Sequence, residues 1–266
     1  MTTARKATRV TLAGRHAHLW WIRPDTIVDP AELARCRALL TDDEREKTDR
    51  FRVARDRQTC LITRVLVRTT LSRYCDVPPA RWRFRTNDHG RPEIGTPSST
   101  IHFNLSHTNG LIVCLVSRGR EVGVDVENLE RANRWLDLSE RFFAPRETAT
   151  LRRVDAAERA TRFLEYWTLK ESYVKARGLG LTIPLTGFSF DLPAGASDDI
   201  RIRFTPAIDD DAARWQFTLE RFGRDHLVAT AVERDGPEPV RITLHEAVEP
   251  VGSRRDQSGR PGSPPI

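Results

Sequence analysis

Three short stretches carry side chains that could act together on a charged substrate. In Val122-Gly123-Val124-Asp125-Val126-Glu127 the valines alternate with Gly123, Asp125 and Glu127, which is the period of a strand. Asp125 and Glu127 therefore project from one face, and the valines from the other. Neighbouring carboxylates repel unless a cation sits between them, and Mg2+ is the usual hard cation for oxygen ligands. A strand with a solvated acidic face is the other reading, and Asp-x-Glu alone does not decide between the two. In the stretch from Trp167 to Lys175, Trp167, Glu171 and Lys175 fall at i, i+4 and i+8 and share one helical stripe. Alone, this is a surface Glu–Lys pair beside a core Trp. Beside the acidic strand, Glu171 becomes the third carboxylate of an acidic cup. Lys175, one turn on, then reaches phosphate oxygens that share the metal. The third stretch is Ile101-His102-Phe103-Asn104-Leu105-Ser106-His107-Thr108. A Ser beside a His suggests a nucleophile and its base. Adjacent residues on a strand point apart, however, so the two cannot easily form a nucleophile–base pair.

These residues need strands and helices to place them. A first strand is expected at 17–22, followed by a loop punctuated by Pro24 and Pro30. Thr41 and Glu44 form a capping box that opens one helix at 43–52, and a second runs 55–74 with Leu61, Val65, Leu66, Val67, Leu71 and Tyr74 inward. Arg45, Lys47, Arg50, Arg52, Arg55, Arg57, Arg64 and Arg68 crowd these helices, most of them as a solvated face. Asn87 to Pro92 is turn chemistry, and 111–116 is a buried strand. Residues 131–164 carry a helical pattern that includes Leu136, Leu138, Phe142 and Phe143. After Lys175 a glycine stop leads to strands at 187–192, 200–204, 215–221 and 227–233, with a last short strand at 242–247. Two α+β units result, 17–120 and 121–248, each with helices packed on an antiparallel sheet. They are flanked by a flexible N-terminus (1–16) and a Gly-, Pro- and Ser-rich tail (249–266) expected to be disordered.

The 266 residues, 39% of them hydrophobic, with six Trp and eleven Phe, support a sizeable core. The net charge of +6 favours an anionic partner without singling out nucleic acid. Cys36, Cys60, Cys75 and Cys114 lack C-x-x-C spacing, so they read as buried, reduced thiols of a cytoplasmic protein. The N-terminus lacks the apolar run of a signal peptide, and no segment approaches membrane-spanning length.

The pair Gly123-Val124-Asp125-Val126-Glu127 and Trp167-Thr168-Leu169-Lys170-Glu171-Ser172-Tyr173-Val174-Lys175-Ala176, some forty residues apart, resembles the signature of the Sfp-type 4′-phosphopantetheinyl transferases. Phe103-Asn104-Leu105-Ser106-His107-Thr108 and Gly90-Arg91-Pro92 extend the likeness, which covers roughly Leu40 to Phe190. The resemblance implies a pseudo-dimer of two similar α+β lobes with the site between them. It implies Mg-dependent transfer of 4′-phosphopantetheine from coenzyme A to a serine hydroxyl of an acyl or peptidyl carrier protein, releasing 3′,5′-ADP. Asp125, Glu127 and Glu171 are then the Mg2+ ligands, and Glu171, Lys175 and Glu127 the catalytic residues. Glu171, or a metal-bound water that it orients, is the general base, with Glu127 as the second choice. Coenzyme A contacts are implied for Lys47, Arg45, Arg91, Pro92, Ser106, His107, Lys170 and Lys175. Glu44 stands where the family carries a cation, with Arg45 as its substitute. Carrier proteins dock in the family on the segment after the metal strand, where Arg146, Arg152 and Arg153 suit an acidic helix, or else form a solvated face. A cytoplasmic monomer without membrane or nucleic-acid partners is expected. A coenzyme A-binding protein without transfer activity and a basic nucleic-acid-binding protein are the alternatives.

Overall fold

The computed structural model of the chain describes residues 10–130, 139–192 and 200–247. The expected N-terminal stretch through residue 9, the tail from 249, and Leu136 and Leu138 lie outside the described residues. In chain order the elements are β1 (His16–Ile22), α1 (Pro30–Ala38), α2 (Asp42–Asp49), α3 (Ala54–Leu71), β2 (Arg83–Thr86), β3 (Pro92–Thr96), β4 (Ile101–Thr108), β5 (Leu111–Arg118) and β6 (Val122–Asn128). There follow α4 (Ser139–Phe142), α5 (Pro145–Arg153), α6 (Ala156–Arg177), β7 (Phe188–Asp191), β8 (Arg201–Phe204), β9 (Trp215–Phe222), β10 (His226–Glu233) and β11 (Arg241–Glu246). The fold is α+β, with a four-stranded sheet β11-β1-β5-β4, a three-stranded antiparallel sheet β6-β10-β9, and the hairpins β2-β3 and β7-β8.

Period-two alternation builds three core layers from these sheets. On β1, Ala17 and Leu19 face one way and Trp20 and Ile22 the other; on β5, Leu111, Val113 and Leu115 separate in the same manner from Ile112, Cys114 and Val116. The first sets meet Val122, Val124 and Val126 of β6 and Val228 and Val232 of β10, so the two sheets pack on each other through branched aliphatics. The second sets pack under α3 through Leu61, Ile62, Val65 and Leu66. On the far side, Phe217, Ala229 and Ala231 pack under α6 through Leu169, Tyr173 and Ala176. Each such aliphatic or aromatic side chain contributes about 1.5–3 kcal/mol by leaving water. The 22-residue α6 stops at Gly178, whose φ of 63° is the left-handed conformation that glycine adopts at low cost.

Several elements differ from the sequence expectation. The stretch after Pro30 is a helix, because Pro30 occupies its first turn and the Asp29 side chain accepts from the Ala31 amide. The strand at the end of the chain does not extend the C-terminal lobe: β11 pairs in parallel with β1, from His16 opposite Arg241 to Trp21 opposite Glu246. Strands β7 and β8 pair only with each other, apart from the β6-β10-β9 sheet. The four cysteines are free, but only Cys36 and Cys114 are buried. Among the described residues no helix is long and apolar enough to cross a membrane.

Candidate active site

The site forms where α6 lies across β6. Gly123 makes that crossing possible: a Cβ there would stand 2.0 Å from the Ser172 carbonyl oxygen and 2.4 Å from the Ala176 amide nitrogen. The face of β6 that carries Gly123, Asp125 and Glu127 therefore meets the helix backbone to backbone, and the next turns of α6 bring Glu171 and Lys175 over Asp125. The Lys175 Nζ donates to Asp125 Oδ1 at 2.6 Å and to Ser106 Oγ at 2.9 Å, and Ser106 Oγ donates to the same Asp125 oxygen at 2.9 Å. Asp125 is 5% exposed, and its second oxygen, Oδ2, is buried with no hydrogen-bond partner. Burial, and then the Asp125 charge, push the Glu171 carboxyl above its ordinary pKa, with Lys175 opposing. On β4, Asn104 ties that strand to β6 by accepting from the Val124 amide at 3.0 Å.

Strand alternation on β4 sends Ser106 and His107 apart. His107 opens onto a cavity of about 850 Å³ between α3 and β4, where Lys47, Arg55 and Arg64 also stand. Burial against the cavity wall, and then the Lys175 ammonium, lower the His107 pKa, while Asp125 and Asp56 raise it. A second cavity, of about 260 Å³, adjoins the first at Pro92 and Leu105 and is lined by Arg91, Glu171 and Lys175. The turn from Asn87 to Pro92, which joins β2 to β3, forms one wall. It is tied to the end of α6: Asn87 Nδ2 donates to the Gly178 carbonyl at 2.8 Å, and Arg91 Nη1 to the Ala176 carbonyl at 2.8 Å and to Glu121 Oε2 at 2.7 Å. Burial alone would raise the Glu121 carboxyl, but His102 and Arg91 together hold it down at about 2.

The structure thus brings Asp125, Glu171, Lys175 and Ser106 together, with Lys47, His107 and Pro92 on the cavities. Glu127 follows Asp125 on the same face of β6, half-buried. The expected three-carboxylate cup is not closed. Among the described residues no group of three His, Cys, Asp or Glu side chains stands close enough to hold a metal ion, and the Lys175 ammonium lies on Asp125 instead.

Two implied coenzyme A contacts are placed elsewhere, and a third is engaged within the chain. Lys170 is wholly buried on the core side of α6, paired with Glu147 Oε2 at 2.8 Å and donating to the Leu185 and Phe188 carbonyls. One residue along a helix turns a side chain by about 100°, enough to take Lys170 from the site into the core. Arg45 donates to Asp42 and to the Leu40 carbonyl and does not line either cavity. Arg91 lines the smaller cavity, but its guanidinium is spent on α6 and Glu121. Glu44 faces inward: it closes the capping box with Thr41 and accepts from the buried Arg68 at 2.6 Å. Arg55 and Arg64, which the sequence leaves within a mostly solvated basic face, also line the larger cavity. Nothing in their spacing marks them, since Lys47 belongs to α2 and the two arginines to α3. Arg152 and Arg153 are exposed on α5.

Residues 121–231 match the family model described as the 4′-phosphopantetheinyl transferase superfamily, and residues 28–119 match the one described as 4′-phosphopantetheinyl transferase, N-terminal. The chain is 34% identical over 178 residues to the 4′-phosphopantetheinyl transferase HetI of a Nostoc species, covering 66% of this chain and 74% of that one. It is 33% identical to a phosphopantetheinyl transferase of a Thraustochytrium species, over 80% of this chain and 77% of that one. To the 4′-phosphopantetheinyl transferase Sfp of Bacillus subtilis it is 31% identical, over 65% of this chain and 76% of that one.

Proposed function

The chain belongs to the 4′-phosphopantetheinyl transferase superfamily, and from that premise we propose how its residues divide the work. The activity is the transfer of 4′-phosphopantetheine from coenzyme A to carrier proteins. The acceptor is a serine hydroxyl and the leaving group 3′,5′-ADP. Lys47, Arg64 and His107 around the 850 Å³ cavity take the nucleotide phosphates. His107, its pKa lowered, is neutral near pH 7 and donates one N–H. Asp125, Glu127 and Glu171 are the residues that would hold a Mg2+ ion, once Lys175 leaves Asp125 and the three draw closer than they stand here. All three are hard oxygen donors, and the orphaned Asp125 Oδ2 is a buried acceptor that lacks a partner. When bound, Mg2+ supplies neutralisation of the pyrophosphate charge. Lys175 stabilises the negative charge that gathers on the bridging oxygen as the phosphorus–oxygen bond breaks. Glu171, or a water that it orients, takes the serine proton as the general base. In this reading the lobes 17–120 and 121–248 supply opposite walls, Ser106 and His107 from the first and Asp125, Glu171 and Lys175 from the second.

The observation that carries this reading is the convergence of Asp125, Glu171 and Lys175 beside two joined cavities lined with cations. Asp125→Ala should lower the rate of label transfer from fluorescent coenzyme A to a carrier protein by orders of magnitude, while coenzyme A binding without Mg2+ survives. Near-normal turnover in that variant refutes the assignment. The exposed α5 face with Arg152 and Arg153 takes the acidic carrier helix. Exposed charge pairs speed encounter more than they add affinity. Arg152→Glu with Arg153→Glu should therefore lower kcat/KM for carrier protein at low salt as far as high salt lowers it in the wild type. An unchanged value in the double variant places docking elsewhere.

A further inference from the structure

We propose that Lys175 is a resident occupant of the cation site. Its ammonium holds Asp125 until coenzyme A arrives, so that a divalent cation enters tightly only together with coenzyme A. The inference rests on the metal-site reading given above. It starts from a buried carboxylate with one satisfied oxygen. Asp125 Oδ1 receives both Lys175 Nζ, at 2.6 Å, and Ser106 Oγ, while Oδ2 has nothing. A buried charge without compensation is costly, and in this arrangement the compensation is Lys175.

The same side chain has somewhere else to go. The Lys175 side chain is 28% exposed where the Asp125 side chain is 7%, and its charge sits on a flexible four-carbon stem. It lines the 260 Å³ cavity beside Arg91 and Pro92, where an anionic ligand would offer its ammonium new oxygens. Ser106 steadies the resting position from the other side at 2.9 Å. A dication arriving alone meets a like charge already on Asp125 and must drive it into water without a partner. A dication arriving with a diphosphate finds the ammonium drawn off to the diphosphate. Lys175 thereby couples the two ligands, and the coupling is reciprocal: the cation must strengthen coenzyme A binding by the same factor.

The test titrates Mn2+, whose free ion is counted by electron paramagnetic resonance, into the full chain with and without coenzyme A. A titration of coenzyme A alone is subtracted. The wild type should bind Mn2+ at least tenfold more tightly when coenzyme A is present. Lys175→Met should bind Mn2+ alone at least tenfold more tightly than the wild type, which is about 1.4 kcal/mol, and should lose most of the coupling. Lys175→Arg, which keeps the charge, should stay near the wild type. Ser106→Ala, which removes the second anchor of Lys175 and one donor to Asp125 but leaves the ammonium in place, should shift the same way as Lys175→Met by a smaller factor, and serves if Lys175→Met does not fold. If the wild type binds Mn2+ with coenzyme A but Lys175→Met and Ser106→Ala bind Mn2+ alone no better, the resident-cation proposal is overturned while the metal site stands. If no protein binds Mn2+ under either condition, the metal-site reading falls and takes the proposal with it.

Discussion

Replacing Gly123 by Ala perturbs the site without touching any group that meets substrate. The added Cβ would lie 2.0 Å from the Ser172 carbonyl oxygen, 2.4 Å from the Ala176 nitrogen and 2.9 Å from the Ala176 Cα. All three are backbone atoms, so no rotamer can relieve the clash. Ordinary contact begins at 3.4 Å, and the gap from 2.0 Å to 3.4 Å requires β6 and α6 to part by about 1.4 Å. Overpacking of this kind costs about 1–3 kcal/mol, or roughly 2–12 °C in Tm for a chain of this size. The kinetic loss should be the larger effect. Asp125 stays on the strand while Glu171 and Lys175 move with the helix, and a misplacement of about 1 Å can cost about 100-fold in rate. Label transfer from fluorescent coenzyme A to a carrier protein reads kcat/KM, and circular dichroism reads Tm. Gly14→Ala is the control, because nothing lies within 4 Å of its Cβ position. A Gly123→Ala protein with wild-type Tm and wild-type kcat/KM would refute the claim that close approach at this one position assembles the site.

Two further substitutions separate site from scaffold. His107→Ala should raise KM for coenzyme A more than it lowers kcat, because the imidazole lines the cavity and lies on the opposite face of β4 from Asp125; abolished kcat at unchanged KM points to acid–base chemistry instead. Lys170→Met should leave Glu147 buried without its cation and cost about 3–5 kcal/mol of stability, read as a lower denaturant midpoint, with KM for coenzyme A unchanged in the folded protein. A raised KM at wild-type stability shows that Lys170 belongs to the site after all.

The chemistry of this chain is legible where it is local. Alternation on β6 and β4, and the stripe on α6, are properties of a few consecutive residues, so Asp125, Glu171, Lys175 and His107 could be placed on faces before any fold was known. What escaped depends on partners far along the chain. Lys170 reads as part of the motif until Glu147, on another helix, claims it in the core. Glu44 breaks a pattern of cations until Arg68 supplies the reason, and Arg91 is a ligand candidate until the end of α6 takes up its guanidinium. The three carboxylates were expected to converge from like-charge logic alone. The lysine that stands among them answers the same electrostatic need with a charge from within the chain. The helix after Asp29 hides differently: Pro30 reads as loop punctuation, although a proline behind an Asp cap is also how a helix begins.

The parallel pairing of β11 with β1 bears on how the chain is made. Strand β1 is made long before β11, yet one of its edges stays unpaired until residues 241–246 have followed. An exposed edge can pair with strands of other chains, and parallel pairing over such a separation is slow to form. The sheet that β1 belongs to thus waits through the synthesis of β6 to β10 before it can be finished. Premature arrest between Ala176 and Arg241 would leave a fragment that carries both signature motifs and an adhesive flank.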